Sequence, residues 1–138
     1  IYLGHPVATA AGCAVLEAIL ARDLVSRVRR MGEHFDKALK DQFSEHAHVG
    51  DIRGRGLFRG IELVADKVSK SPFAPEKRLA AGIKKAAFEQ GLICYPMSGT
   101  RDGVNGDHIL LAPPFIIEDD QIDEVVTKLD TAISSCLP

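Results

Sequence analysis

The sequence has no tryptophan, 6% aromatic residues, three cysteines and almost balanced charge, 17 basic against 19 acidic side chains for a formal net charge of -2. Balanced charge removes the global electrostatic case for nucleic acid or an acidic lipid surface, so an anion site needs a local argument. The few aromatics do not interleave with Arg22, Arg27, Arg29 and Arg30, as a stacking surface for single strands requires. Those arginines alternate with acids and read as a solvated helical face. Cys13, Cys94 and Cys136 are far apart and odd in number, which argues against a disulfide framework and for a reducing compartment, with cytoplasm as the default. No apolar run approaches the roughly 20 residues of a membrane span. No basic segment followed by an apolar stretch and a small-residue cleavage site marks an export signal. The first residue is Ile1 rather than Met, and the expectation is a chain cut from something longer.

Several chemistries lack their residues. The histidines His5, His34, His46, His48 and His108 have no cysteine or carboxylate cluster at a metal-ligand spacing, so no metal site is expected. No Gly-x-Ser-x-Gly elbow is present. Cys13 lies in an alanine-rich helical stripe and Cys94 in an apolar strand, settings of small buried residues rather than nucleophiles. Gly54-Arg55-Gly56 looks like part of a phosphate loop, but no third glycine, Gly-Lys-Ser/Thr ending or following helix completes it. A tight β-turn is the better reading.

What is present is enough for one folded domain: 138 residues, 46% of them hydrophobic. Helical spacing runs from Pro6 to about Arg22, with a stripe of mostly small residues (Val7, Ala10, Ala11, Ala14, Val15, Ala18) suited to close approach of another helix or backbone. A second helix follows through Leu24, Val28, Met31, Phe35, Leu39 and Phe43, with Asp23 as its expected N-cap. Val49 to Leu63 reads as two extended segments joined tightly around Gly54-Arg55-Gly56. Glu76 to Gln90 is a helix stopped by Gly91. Leu92 to Tyr95 is a strand ended by Pro96, His108 to Leu111 another strand, and a last helix starts near Glu118 or Asp119 with an acidic first turn. This order predicts an α+β layer, helices packed on a small mixed or antiparallel sheet. Arg53 and Arg101 stand out because each is expected where a strand gives way to a Gly-rich loop, from which a guanidinium can clamp a carboxylate.

Three blocks carry a resemblance. Gly4-His5-Pro6-Val7-Ala8-Thr9-Ala10-Ala11, then Asp51-Ile52-Arg53-Gly54-Arg55-Gly56-Leu57-Phe58-Arg59-Gly60-Ile61-Glu62-Leu63, then Asp107-His108-Ile109-Leu110-Leu111-Ala112-Pro113-Pro114 occur in the order seen in class III aminotransferases. These enzymes use pyridoxal phosphate (PLP) on the type I fold. The resemblance implies a connecting helix region at 1–32 and a C-terminal small domain at 33–138. It implies an amino transfer between an amine or ω-amino acid and a 2-oxo acid such as pyruvate, carried out by a longer homodimeric enzyme. The family's Schiff-base lysine, the carboxylate on the pyridine nitrogen and the aromatic residue over the ring lie upstream of the first block. The eight lysines here do not match that lysine, so this chain alone is expected to hold no PLP and contribute no catalytic residue.

Ile1 stands where the family often has a threonine for the PLP phosphate of the partner subunit, and it cannot donate that hydrogen bond. Leu110 stands where the 4-aminobutyrate and ornithine branch has a carboxylate-binding arginine, which points away from that branch and toward the ω-transaminases. By resemblance Arg53 and Arg101 are the substrate-binding candidates, Arg53 first. A different reading is a stand-alone interaction or oligomerisation domain without catalysis.

Overall fold

The computed structural model describes residues 3–137. Ile1, and with it the phosphate-threonine comparison, lies outside the described residues. Helix α1 spans Pro6–Ala21, with Pro6 in the first turn, where its missing N–H costs nothing, and the His5 ring accepting from the Ala8 N–H at 3.5 Å. No residue of α1 is buried. Its apolar positions Val7, Leu16 and Leu20 face outward, and the small-residue stripe is exposed.

Helix α2, Leu24–Phe43, buries Leu24, Met31, Gly32, Phe35, Leu39 and Phe43 along one stripe. Asp23 occupies the expected N-cap position, but it is left-handed (φ 44) and its side chain makes no cap hydrogen bond. It serves the sharp bend after α1 instead. Strands β1, Val49–Arg55, and β2, Phe58–Leu63, form an antiparallel hairpin in which Arg55 faces Phe58. The two-residue turn is therefore Gly56-Leu57, with Gly54 and Arg55 inside β1. Gly56 takes φ +55, which a two-residue hairpin turn needs at that position. Because Gly32 has no Cβ, α2 can press against this turn; a Cβ there would lie 2.6 Å from Gly56 backbone atoms.

After a 3-10 turn at Pro75–Lys77, helix α3 covers Leu79–Glu89, starting later than Glu76 because Arg78 turns left-handed (φ 48). Gly91 (φ +76) stops it, and the Leu92 N–H returns to the Ala87 carbonyl. Strand β3 is Tyr95–Ser98 rather than Leu92 to Tyr95, and Pro96 lies within it. The sheet order β1-β2-β4-β3 puts β3 on the edge, where a missing N–H is tolerated. Strand β4 is Asp107–Leu111, and helix α4, Asp119–Cys136, opens with a reciprocal Glu118–Gln121 capping box.

All three strand pairings are antiparallel, which resolves the expectation of a mixed or antiparallel sheet. Period-two alternation gives the sheet two different faces. Toward α2, α3 and α4 it presents Leu57, Arg59, Ile61, Leu63, Ile109 and Leu111, all buried. These join Phe35, Leu39, Ile83, Ile122, Leu129 and Ile133 in one core. Each such side chain contributes about 1.5–3 kcal/mol when fully buried. Arg59 crosses this layer to α2, donating to the Asp36 carboxylate at 2.9 Å and the Gly32 carbonyl at 2.6 Å. Among the described residues no helix covers the opposite face.

Candidate functional site

The register writes out the open face. Arg53, Gly60, Leu110 and Tyr95 form one row across the sheet; Asp51, Glu62, His108 and Met97 form the next. Above these rows lies a cavity of about 390 Å³, walled on one side by Lys70 and Pro72 after β2 and on the other by Thr100, Arg101 and Gly106 between β3 and β4. Arg53 and Arg101 thus border the same cavity, as do Glu62, His108 and Leu110.

The two arginines are in different electrostatic states. Arg53 is inside β1, not at its end, and its Nη1 donates to Asp51 at 2.5 Å with Glu62 at 3.8 Å. The Asp51 hydrogen bond holds the guanidinium's pKa above its ordinary value, against a smaller opposing effect of burial. Arg101 is in the loop after β3, as expected. Among the described residues its guanidinium has no hydrogen bond or ion pair.

The loop that carries Arg101 is organised by its neighbour. Asp102 accepts from the Val104 N–H at 2.9 Å, the Asn105 N–H at 2.7 Å and the Asn105 amide at 2.8 Å. The hydrogen bonds from Asn105 come first among the causes that bring its carboxyl down to about 2. Gly99, Gly103 and Gly106 supply the positive φ angles that fold the loop back, and the Arg101 N–H closes onto the Asn105 carbonyl at 2.9 Å. Asp102 therefore stays ionised and engaged within the loop, the nearby Arg101 charge being the last of the causes that lower it, and the exposed Arg101 lines the cavity.

His108 lies between Glu62 and Met97 in its row. Burial, then the neighbouring Arg53 charge, lowers its pKa, partly opposed by Asp107 and Glu62. It is neutral at pH 7. Lys70 reaches across with its ammonium donating to the Gly50 carbonyl. What this face can do chemically is bind an anion at Arg101 beside a neutral imidazole and a leucine; it holds no activated nucleophile.

Glu62, Lys70, Gly60 and His108 were not singled out by sequence reasoning as site residues. Their signal is the strand register, which pairs Asp51 with Glu62 and Glu62 with His108 and is invisible in a linear reading.

Other sequence candidates are placed elsewhere. Gly54-Arg55-Gly56 runs into β2, not into a helix N-terminus. His46 and His48 are structural: His46 Nδ1 accepts from the His48 N–H at 3.1 Å, and His48 Nδ1 is 3.1 Å from the Val64 carbonyl. Among the described residues no group of three or more His, Cys, Asp or Glu is placed to hold a metal ion. Burial pushes the Cys94 thiol up, away from nucleophilic character. Arg27 is not part of a solvated face; it docks on the Ile117 carbonyl at 2.7 Å and on Glu118 at 2.9 Å.

The fold and its blocks match known proteins. The aminotransferase class-III family model matches residues 1–133. An uncharacterized aminotransferase of Schizosaccharomyces pombe is 47% identical over 97% of this chain, which covers 29% of that protein. An aminotransferase of Gibberella zeae is 41% identical over 96% of the chain and 26% of its own length. Among solved structures, a thermostable (S)-enantioselective ω-transaminase from Thermomicrobium roseum superposes with a TM-score of 0.89 at 32% identity, over 99% of this chain and 29% of that one. A Bacillus anthracis aminotransferase gives a TM-score of 0.87 at 39% identity, over 97% and 29%. The chain therefore spans less than a third of these relatives. With one motif block opening α1 and two on a helix-backed antiparallel sheet shared with type I PLP transaminases, it belongs to the class III aminotransferases.

Proposed function

We propose that this chain is the C-terminal part of a PLP-dependent transaminase that moves an amino group between an amine or ω-amino acid and a 2-oxo acid such as pyruvate, and that its share of the work is to bind a substrate carboxylate. The carrying observation is that Arg101, without an ion pair among the described residues, lines a cavity whose other arginine is already paired with acids. A free guanidinium offers a carboxylate two parallel hydrogen bonds at no cost in broken ion pairs. Arg101 therefore replaces Arg53 as the first candidate, and Arg53 becomes the residue that positions Asp51 and Glu62. Leu110 on the cavity floor supports the ω-transaminase branch over the 4-aminobutyrate branch, since leucine makes no ion pair.

In this reading none of the lysines serves as the cofactor lysine. Lys37, Lys40, Lys85 and Lys128 pair with acids one helical turn away. Lys67 and Lys70 donate to backbone carbonyls, Lys77 lies over the Phe73 ring, and Lys84 is exposed on α3. The Asp41 hydrogen bond raises the Lys37 pKa, the opposite of what an amine nucleophile needs. In the whole enzyme PLP would supply the electron sink. We assign residues 1–32 to the region leading into the small domain and 33–138 to that domain, with Leu24, Met31 and Gly32 already packed in its core. The uncovered α1 suits packing on the remainder of a longer, homodimeric enzyme.

Adding PLP to the 138-residue chain should leave the spectrum of free cofactor. A polypeptide extended upstream should acquire the visible absorbance of lysine-bound PLP, and its R101Q variant should raise KM for carboxylate substrates while sparing simple amines. An extended protein that does not bind PLP would sink the reading. A defined complex formed by the isolated chain in sedimentation, without PLP, would favour the alternative of an interaction or oligomerisation domain, for which the exposed Val7, Leu16 and Leu20 provide a surface.

A further inference from the structure

Most of the glycines around the sheet are demanded by the fold. A Cβ on Gly32 would lie 2.6 Å from Gly56 backbone atoms, one on Gly54 would lie 2.1 Å from the Phe58 carbonyl oxygen, and Gly56 takes φ +55. Gly60 is different. Its φ is not positive, and an added Cβ would meet the Leu110 Cδ2 at 3.5 Å and the Arg53 carbonyl oxygen at 3.8 Å, ordinary van der Waals contacts. It nevertheless sits inside β2, a strand paired on both sides, where glycine weakens the strand and leaves no side chain to pack. What its bareness creates is space in the cavity floor, between Arg53 and Leu110 in their row.

Three features define what would fill that space. The anion-binding end is near Arg101, next to where β3 leaves and β4 enters the sheet at the Ser98–Asp107 pair. From there to the Gly60–Leu110 pair is three residues of strand, on the order of 10 Å. Along that path the Arg53 charge is matched by Asp51 and Glu62, and the Lys70 ammonium is drawn to the Gly50 carbonyl, away from the Gly60–Leu110 row. A second carboxylate arriving at the far row would find Arg53 already engaged by Asp51 and Glu62 and, among the described residues of that row, no free cation, whereas a hydrocarbon would find Leu110 and bare backbone.

We propose that Gly60 is a specificity-determining position, its missing side chain leaving a hollow for the far end of an elongated aliphatic monocarboxylate whose carboxylate is held by Arg101. This rests on the carboxylate reading of Arg101 given above. Short acids reach only Arg101; long ones also reach the hollow.

The test is a ¹H–¹⁵N NMR titration of the 138-residue chain with acetate, butyrate, octanoate and the eight-carbon dicarboxylate suberate. Octanoate should bind at least tenfold tighter than butyrate, since each fully buried methylene is worth about fourfold, with amide shifts centred on Gly60 to Glu62 and His108 to Leu110. Suberate should not share that gain. G60V should bring octanoate down to the butyrate level without changing acetate or butyrate, and G60A should fall between, each with a melting temperature no lower than that of the parent chain. An octanoate advantage that survives G60V, a suberate affinity equal to octanoate, or no length dependence at all would overturn the proposal and leave the Arg101 reading standing. R101Q should weaken all the acids alike and keep the length step. If R101Q leaves acetate and butyrate unchanged, the carboxylate reading fails, and with it the Arg101 half of this proposal.

Discussion

The two faces of the sheet are built from the same strands by alternate residues, yet they obey different rules. On the helix side the residues are almost all apolar, with Arg59 held by Asp36 and the Gly32 carbonyl, and Ile61, Ile109 and Ile122 have no solvent exposure. On the open side Asp51, Arg53, Glu62 and His108 crowd into adjoining rows with Gly60 and Leu110. Burial drives folding at roughly 25 cal/mol per Å² of apolar surface, so the helix side holds the chain together. The open side adds little to stability and keeps polar groups where a ligand can use them. A one-residue slip in register would exchange the faces; the Gly56-Leu57 turn and the buried Arg59 prevent it.

The comparison is broken most severely by cutting into the helix side. I61A and I109A should each cost about 2–5 kcal/mol, because each removes a fully buried side chain and leaves a cavity. L110A, on the same strand as Ile109 but facing the other way, should cost less than about 1.5 kcal/mol. Urea unfolding followed by circular dichroism measures all three. Equal losses for I109A and L110A would mean that the open face is packed as tightly as the core.

The two arginines on opposite faces of the hairpin sharpen the contrast next. Arg59 is buried with its partners Asp36 and the Gly32 carbonyl. R59M should therefore cost about 1.5–3 kcal/mol, the range for hydrogen bonds to charged groups. Arg53 pairs with Asp51 and Glu62 at an exposed position, and R53M should stay within about 1 kcal/mol. The same unfolding curves decide it, and addition of 0.5 M salt should narrow only the Arg53 difference, since exposed pairs are screened.

How much of this was legible in the sequence follows the same division. The helix side announces itself through periodicity: Leu24, Val28, Met31, Phe35, Leu39 and Phe43 mark α2, and Gly91 marks the end of α3. Local chemistry misled where tertiary position overrides it. Pro96 reads as a strand terminator until β3 is known to be an edge, and Asp23 reads as a cap until the bend after α1 turns it left-handed. The candidate site was the least readable. A motif block pointed to Arg53 and the Gly-rich loop to Arg101, but only register shows that Arg53 is surrounded by acids and that Gly60 and His108 share its face. Pairing across strands is a long-range property, and nothing in the spacing of Arg53 and Glu62 reveals it.

The smallest expected effects separate the faces by pH. His34 on α2 bridges to α4, with Nδ1 2.6 Å from Asp119 and Nε2 3.2 Å from Asp123. The Asp119 hydrogen bond, with help from Asp123 and against burial, raises its pKa above 6.5. A raised folded pKa means that the imidazolium stabilises the fold fully below pH 6.5, and that this contribution disappears as pH climbs through the folded value. His108 behaves in the opposite sense. Its folded pKa lies below 6.5 through burial and the nearby Arg53, so its contribution is complete above pH 6.5 and is lost as pH falls through the folded value. H34Q should flatten the decline of melting temperature on the alkaline side of pH 6.5, and H108Q should flatten the decline on the acid side. Each effect should be at most about 1 kcal/mol, the range for partly exposed pairs. Melting curves from pH 5 to pH 8.5 would read both, with His46, also lowered by burial, controlled by H46Q. If H34Q and H108Q changed the profile on the same side, protonation would not distinguish the helix-backed face from the open one.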